Sequence, residues 1–577
     1  MPQAVENIGT DLEQLTARIH DLERRVAALE GHLEQSTPES REAAPSLTAA
    51  KRPKPPATWR GFPRIETQGG GSVPIVGKAV LGIAGAYLLR AVAESGAIPK
   101  LPVLLVAIVY AAFWMVWAVR SHDSSRFASI TYGITATLIL SPLLWECTVR
   151  FQVILPAFAA AVLVAFAVLT VALAWQRNLQ AIPWIATLAT VITALALIIA
   201  TRDLAPLTGA LLAVALATEI AACVGHRLSL RPAPALAADF AVWLIVEIMT
   251  SSQGLPEGYR PTSPITLTLL CFVLLTIYGG SIGIRNFTLR RRISIFDVLQ
   301  GVLVFLLVTW GTLRATQGSV APVLGVLFLL LAAVNYWGAL ARFADETHAR
   351  NRRVSATWAA ALLLAGNFLL FPVSLQVPFL SLASLATAFL YSRTRKFSLG
   401  LHTSFYLAAA AIVSSLAVYV GAAFAGSVPT APGWGLWVVA VCAALCYLIG
   451  ARVSEERSTR CMLWLVPTAL VGFTAAALIV VATVTLASAQ MELAASRLSV
   501  IRTIVNCALA LALAFAGSRW KRVELGWVAY GAVAFGTLKL LFEDLRFGNA
   551  ASLVVSLIFY GMVLILLPRL TRGSTRS

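Results

Sequence analysis

The residues whose types and spacing suggest chemistry in this chain are ionised side chains set inside, or at the rim of, oily segments. The stretch "AFGTLKLLFEDLRF" (534–547) places Lys539, Glu543 and Asp544 on one helical run. Arg90 and Glu94 make an i,i+4 pair near the start, and Arg502 and Asn506 make another near the end. Such spacing puts both members on one helix face. Glu219 lies in an oily segment of its own, and Glu247 lies in "ADFAVWLIVEIMTSS", preceded at four-residue steps by Trp243 and Asp239. A charge at mid-bilayer costs at least about 2.5–3.5 kcal/mol on insertion scales, so each of these groups needs a partner, water or a route to the interface. Lys539 is expected to snorkel outward with Glu543 on its face. Arg90 and Glu94 are expected to do the same at the outer end of the first span. Asp239, Asp297 and Lys78 are expected to reach the inner interface. Glu247 reads as the deepest acid, with Arg502 and Asn506 as candidate partners. In a proton- or ion-coupled carrier Glu247, and after it Glu219, would titrate.

The elements that hold these groups follow from composition. The chain has 577 residues, of which 58% are hydrophobic and only 12% charged. Soluble domains run at roughly 45–50% apolar and 25% charged. Apolar runs of about 20 residues, enough to cross a hydrocarbon core about 30 Å thick, recur from Pro74 to about residue 570. The short alternating segments of a membrane β-barrel are absent. The expected fold is therefore all-α: a polytopic transmembrane helical bundle of about 18 spans over residues 74–570, with a short tail at 571–577. One span is expected at 235–252. The run "GGSIG" carries Gly279 and Gly283 at the spacing of a close helix-packing motif.

Ahead of the bundle, Val5, Ile8, Leu12, Leu15, Ile19, Leu22, Val26, Leu29 and Leu33 alternate at three- and four-residue steps. This is a coiled-coil heptad with mostly β-branched residues at a and leucine at d, the pattern of a parallel two-stranded coil. Residues 1–35 are thus expected to form a cytoplasmic helix that self-associates or recruits a partner. Residues 36–73, rich in Pro, Ala and Gly, read as a disordered tether.

The net charge of +18 is a topology signal. In the alternating loops, 25 arginines and lysines fall on the side of the N-terminus and 7 on the other. Such asymmetry marks the cytoplasmic side. Both termini are expected in the cytoplasm of a bacterium, with the bundle in its inner membrane and anionic lipid as a contact. The basic residues lie in short loops between spans, so nucleic acid is not an expected partner. Seven cysteines fall singly, and no HExxH or paired CxxC spacing is present. Neither a metal, a cofactor nor a catalytic residue is assigned.

Two stretches resemble a bacterial family of predicted polytopic membrane proteins built on a domain of unknown function. Its members carry an N-terminal coiled coil, a proline-rich linker and many transmembrane helices. The first stretch is "VGKAVLGIAGAYLLRAVAESGAIP" (76–99), in which Arg90 stands where the family usually has lysine and Glu94, Gly96 and Ile98 follow. The second is "LKLLFEDL" with "SLIFYG", similar to a C-terminal Lys-x4-Asp signature matched by Lys539 and Asp544; Leu553 stands where a basic residue is common. The resemblance implies the layout and brings no activity with it.

Two functions fit these observations. The first is a membrane protein that binds or moves a lipid-like or other envelope component. The second is a non-transporting scaffold that works through its coiled coil. A membrane-embedded enzyme comes third, since no paired carboxylates or nucleophile–histidine arrangement supports it.

Overall fold

A computed structural model describes residues 72–95, 98–123, 125–177, 181–225, 231–343, 348–429, 432–453, 456–488, 495–544 and 550–572. The heptad residues Leu12, Leu15, Ile19, Leu22, Val26 and Leu29 lie outside this set. Every regular element among the described residues is helical. The oily runs become helices because nothing in a bilayer competes for their backbone groups, and polar punctuation ends them. Ser125, Ser263 and Ser294 accept a bond from the backbone three residues on, and Gly225 closes its helix at φ +113°.

In chain order the helices are α1 (Ser72–Ser95), α2 (Lys100–Arg120), α3 (Arg126–Trp145), α4 (Pro156–Arg177), α5 (Ala181–Thr201), α6 (Leu204–Val224) and α7 (Pro232–Met249). Then come α8 (Pro264–Gly283), α9 (Ile295–Ala315), α10 (Ala321–Trp337), α11 (Ala349–Leu370), α12 (Val373–Thr394) and α13 (Phe397–Val413). The last six are α14 (Leu416–Phe424), α15 (Trp434–Ala451), α16 (Arg457–Ser488), α17 (Ala495–Arg519), α18 (Val523–Lys539) and α19 (Ala550–Arg572). Single π-helical turns extend α3 (Glu146–Arg150), α8 (Ile284–Thr288), α10 (Gly338–Arg342) and α18 (Leu540–Asp544).

Seventeen of these helices are long and apolar enough to cross a membrane, and α13 with α14, bent by 67° at their junction, are apolar enough together to form either a broken eighteenth span or a re-entrant loop. The chain is a multi-pass membrane protein. The bend falls at Ser415, whose φ of +58° is left-handed. A helix cannot continue through such a residue.

Helices α2 to α9 share one continuous apolar core, whereas the rear of the molecule is built from several smaller clusters. The two regions meet along a seam between α8 and α9 on one side and α10 and α11 on the other. Aromatic contacts bridge it, with Phe305 against Phe328 and Trp358. Polar contacts close one end: Asn286 Nδ2 donates to Ser355 Oγ at 3.1 Å, Asn351 Nδ2 donates to the Arg291 carbonyl at 2.8 Å, and the Ile293 N–H donates to Asn351 Oδ1 at 3.2 Å.

Candidate functional site

At the arginine-rich end of the front half, four ionised side chains from separate elements converge. Glu219 on α6 is only 2% exposed. Arg231, which immediately precedes α7, grips it with two donors, Nε to Oε1 at 2.9 Å and Nη2 to Oε2 at 3.1 Å. Its Nη2 also reaches Asp297 Oδ1 at 2.9 Å. Arg285, on the π-helical turn after α8, lies 3.2 Å from Glu219 and 3.0 Å from Asp297. Ser281 donates to Glu219 Oε2. Asp297 is positioned locally, because Ser294 and Asp297 form a capping box at the start of α9. The Asp297 carboxylate accepts from the Ser294 N–H at 3.0 Å and from its hydroxyl at 2.7 Å.

Two carboxylates and two guanidiniums cancel, which is what lets the cluster stay buried. Burial works against the charge of Arg231, but the bonds and field of Glu219 and Asp297 prevail and hold its pKa above the usual value. Arg231 and Arg285 are therefore engaged by carboxylates.

Asp297 also lines a cavity of about 650 Å³ at the seam. Its wall is mainly apolar, with Phe272, Leu275, Phe287, Phe305, Phe328 and Trp358, while Asn286, Asp297, Asn335 and Ser355 supply polar groups. Toward the end of α8 the wall includes Gly279, Gly280 and Gly283. A Cβ added at Gly280 or Gly283 meets nothing within 4 Å, and one at Gly279 meets only Leu275 of its own helix. The "GGSIG" run thus opens space, where its spacing suggested helix contact. Close contact occurs instead between α10 and α11: a Cβ at Gly325 would stand 3.1 Å from the Gly366 carbonyl, and one at Gly366 would stand 2.9 Å from the Gly325 carbonyl.

The structure distributes the residues flagged from sequence among different places. Glu247 is not deep: α7 ends at Met249, three residues earlier than the expected span, and Glu247 is 40% exposed. It pairs with Arg314 at 2.9 Å instead of Arg502 or Asn506. Arg502 is buried on α17 and donates to the carbonyls of Ala423 (2.8 Å), Ala422 (3.2 Å) and Gly426 (2.7 Å), where α14 stops. Asn506 donates to the Ala532 carbonyl at 2.9 Å and packs on Gly536, where any Cβ would crowd it. Lys539 does not snorkel. It is 5% exposed and donates inward to the Ser499 carbonyl, the Ser499 hydroxyl and the Thr503 hydroxyl at 3.1, 3.2 and 3.0 Å. Glu543 and Asp544 belong to the π-helical turn after α18, and their side chains lie outside the described set. Asp239 and Asp297, expected at the interface, are buried at 4% and 7% exposure; Lys78 is exposed.

Arg90 and Glu94 form their i,i+4 pair at 3.3 Å and belong to a larger network. Arg90 reaches Glu146 at 2.7 Å and Arg150 reaches Glu94 at 3.3 Å.

Sequence reading missed several functional-looking groups. Arg231 and Arg285 are two of the 25 basic residues assigned to loops on the N-terminal side, and nothing local in sequence marks them for burial. Ser294 and Asp297 carried a visible signal, the Ser-x-x-acid spacing of a capping box. Glu524, fully buried at the start of α18, binds Arg460 Nε at 3.0 and 3.2 Å. Tyr336 Oη meets His402 Nδ1 at 2.9 Å and Tyr406 Oη at 2.5 Å in the rear half. Among the described residues no three His, Cys, Asp or Glu side chains gather as a metal site. Comparison with family models, with curated proteins and with solved structures finds no match.

Proposed function

We propose that this membrane protein holds a lipid-like molecule in the seam cavity. The observation that carries the reading is the cavity itself: about 650 Å³, walled by aromatic and aliphatic side chains, with a few polar groups. Ligand sites have this make-up, apolar lining with sparse polar groups and volumes of roughly 300–1,000 Å³. Glycines on α8 leave the space open at a helix whose neighbouring residues are apolar. The coupling role considered for Glu247 and Glu219 is not part of this reading, since arginines neutralise both.

Gly280→Leu tests the proposal. Leucine enters open space, so the variant should keep its thermal midpoint while losing co-purified lipid at least about tenfold, the effect of about 1.4 kcal/mol, as read by native mass spectrometry in detergent. Equal lipid retention by both proteins would reject the cavity as the site. The heptad at 1–33 favours a second reading, a scaffold that recruits partners through its coiled coil. Deleting residues 1–35 separates the two: a scaffold loses function and a lipid-binding protein keeps it. We also place the arginine-rich end in the cytoplasm, on the loop asymmetry. Tags inserted between Phe343 and His348, ahead of α11, and between Val453 and Glu456, ahead of α16, that reacted with an impermeant label from outside would reverse that orientation.

A further inference from the structure

We propose that Asp239 is an intramembrane proton-binding site, and that the packed structure is the form in which its carboxyl is neutral. The assignment is independent of what fills the cavity. It rests on a contrast among the deeply buried acids that the structure describes. Glu219 and Asp297 share two arginines, and Glu524 has Arg460. Asp239, 4% exposed on α7, has one partner of a different kind: Gln300 Nε2, a neutral amide, donates to Oδ2 at 2.7 Å. Its Oδ1 is buried and bonded to nothing.

The charges on the elements packed around α7 leave nothing over for it. Helix α5 carries no ionisable side chain. Helix α6 brings Glu219 and Cys223, α8 brings Cys271 and Tyr278 with Arg285 on the turn that follows, and α9 brings Asp297 and, in its last turn, Arg314. Arg314 pairs with Glu247 near the far end of α7, and Arg231 precedes α7 itself. Arg231 and Arg285 are committed to Glu219 and Asp297, so these four ions, like the Arg314–Glu247 pair, sum to zero. An ionised Asp239 would add an uncompensated negative charge to the buried interior, where a charge is tolerated only when paired. An ionised carboxylate also has about four acceptor positions, and one is filled. Protonation at Oδ1 removes the charge and leaves the Gln300 bond in place. Tyr278, whose hydroxyl is likewise buried without a partner, lines the cavity.

Infrared spectroscopy of the purified full chain in lipid, wild type against Asp239→Asn, reads the proton directly. At neutral pH, where an ordinary aspartate (pKa about 3.9) is ionised, the wild type should show a carboxylic-acid C=O stretch that the variant lacks. No such band in the wild type, or a band of equal area in both proteins, overturns the assignment. Thermal unfolding gives a second readout. Asparagine replaces a neutral carboxyl with a neutral group of the same shape, so the midpoint should stay within about 2 °C. A fall as large as that of Glu219→Gln would show that Asp239 serves as a charge and would equally overturn it.

Discussion

Two clusters of the same make-up, two arginines and two carboxylates each, lie in the front half of the molecule and differ in where their members come from. Arg90, Glu94, Glu146 and Arg150 sit at helix ends, with side chains 17–59% exposed. Glu219, Arg231, Arg285 and Asp297 are at most 15% exposed and come from α6, the start of α7, the turn after α8 and the start of α9. Exposed pairs are screened and gain little. Buried ones are held by desolvation, since removing one member strands its partner. The second cluster thus ties four helices together, while the first mainly decorates a surface.

The largest expected effect breaks the buried cluster. Glu219→Gln leaves two buried guanidiniums facing one carboxylate and should destabilise the protein by about 3–5 kcal/mol, measured by unfolding in detergent. Removing Arg231 as well should cost less than the sum of the two single changes, because the remaining charges are again balanced. Next, the contact between α10 and α11 supplies a scale that involves no charge. Gly366→Ala drives a methyl to within 2.9 Å of a carbonyl oxygen and 2.8 Å of Leu329, and should cost about 1–3 kcal/mol, as overpacking does. The smallest effect belongs to the exposed cluster. Glu94→Gln should change stability by no more than about 1 kcal/mol, and that difference should shrink further in high salt. Equal losses from Glu219→Gln and Glu94→Gln would show that burial does not separate the two clusters.

The same contrast explains what could be read from the chain. Helical class and span number were legible because each span is a local run of apolar residues whose length is set by the bilayer. The pair Arg90–Glu94 was legible because four residues along a helix is a local relation. Glu219 was legible as an acid within an oily segment, but its arginine partners lie 12 and 66 residues on, and in sequence Arg231 and Arg285 look like any loop arginine. Glu247 was placed too deep because polar residues 250–252 were counted into its span, whereas α7 begins three residues earlier at Pro232. The glycines of α8 show a further limit. Small residues at helical spacing permit close approach, but only the neighbouring helices determine whether anything approaches.

The bend between α13 and α14 has a consequence for how the molecule is made. The carbonyls exposed where α14 stops are closed by Arg502, which follows them in the chain by 76 to 80 residues. A ribosome delivers α14 well before that guanidinium emerges, so the nascent stub must be shielded by the insertion machinery or by water until α17 is threaded in. Chains truncated before residue 502 should accordingly be caught by membrane quality control, with the rear half still unsettled.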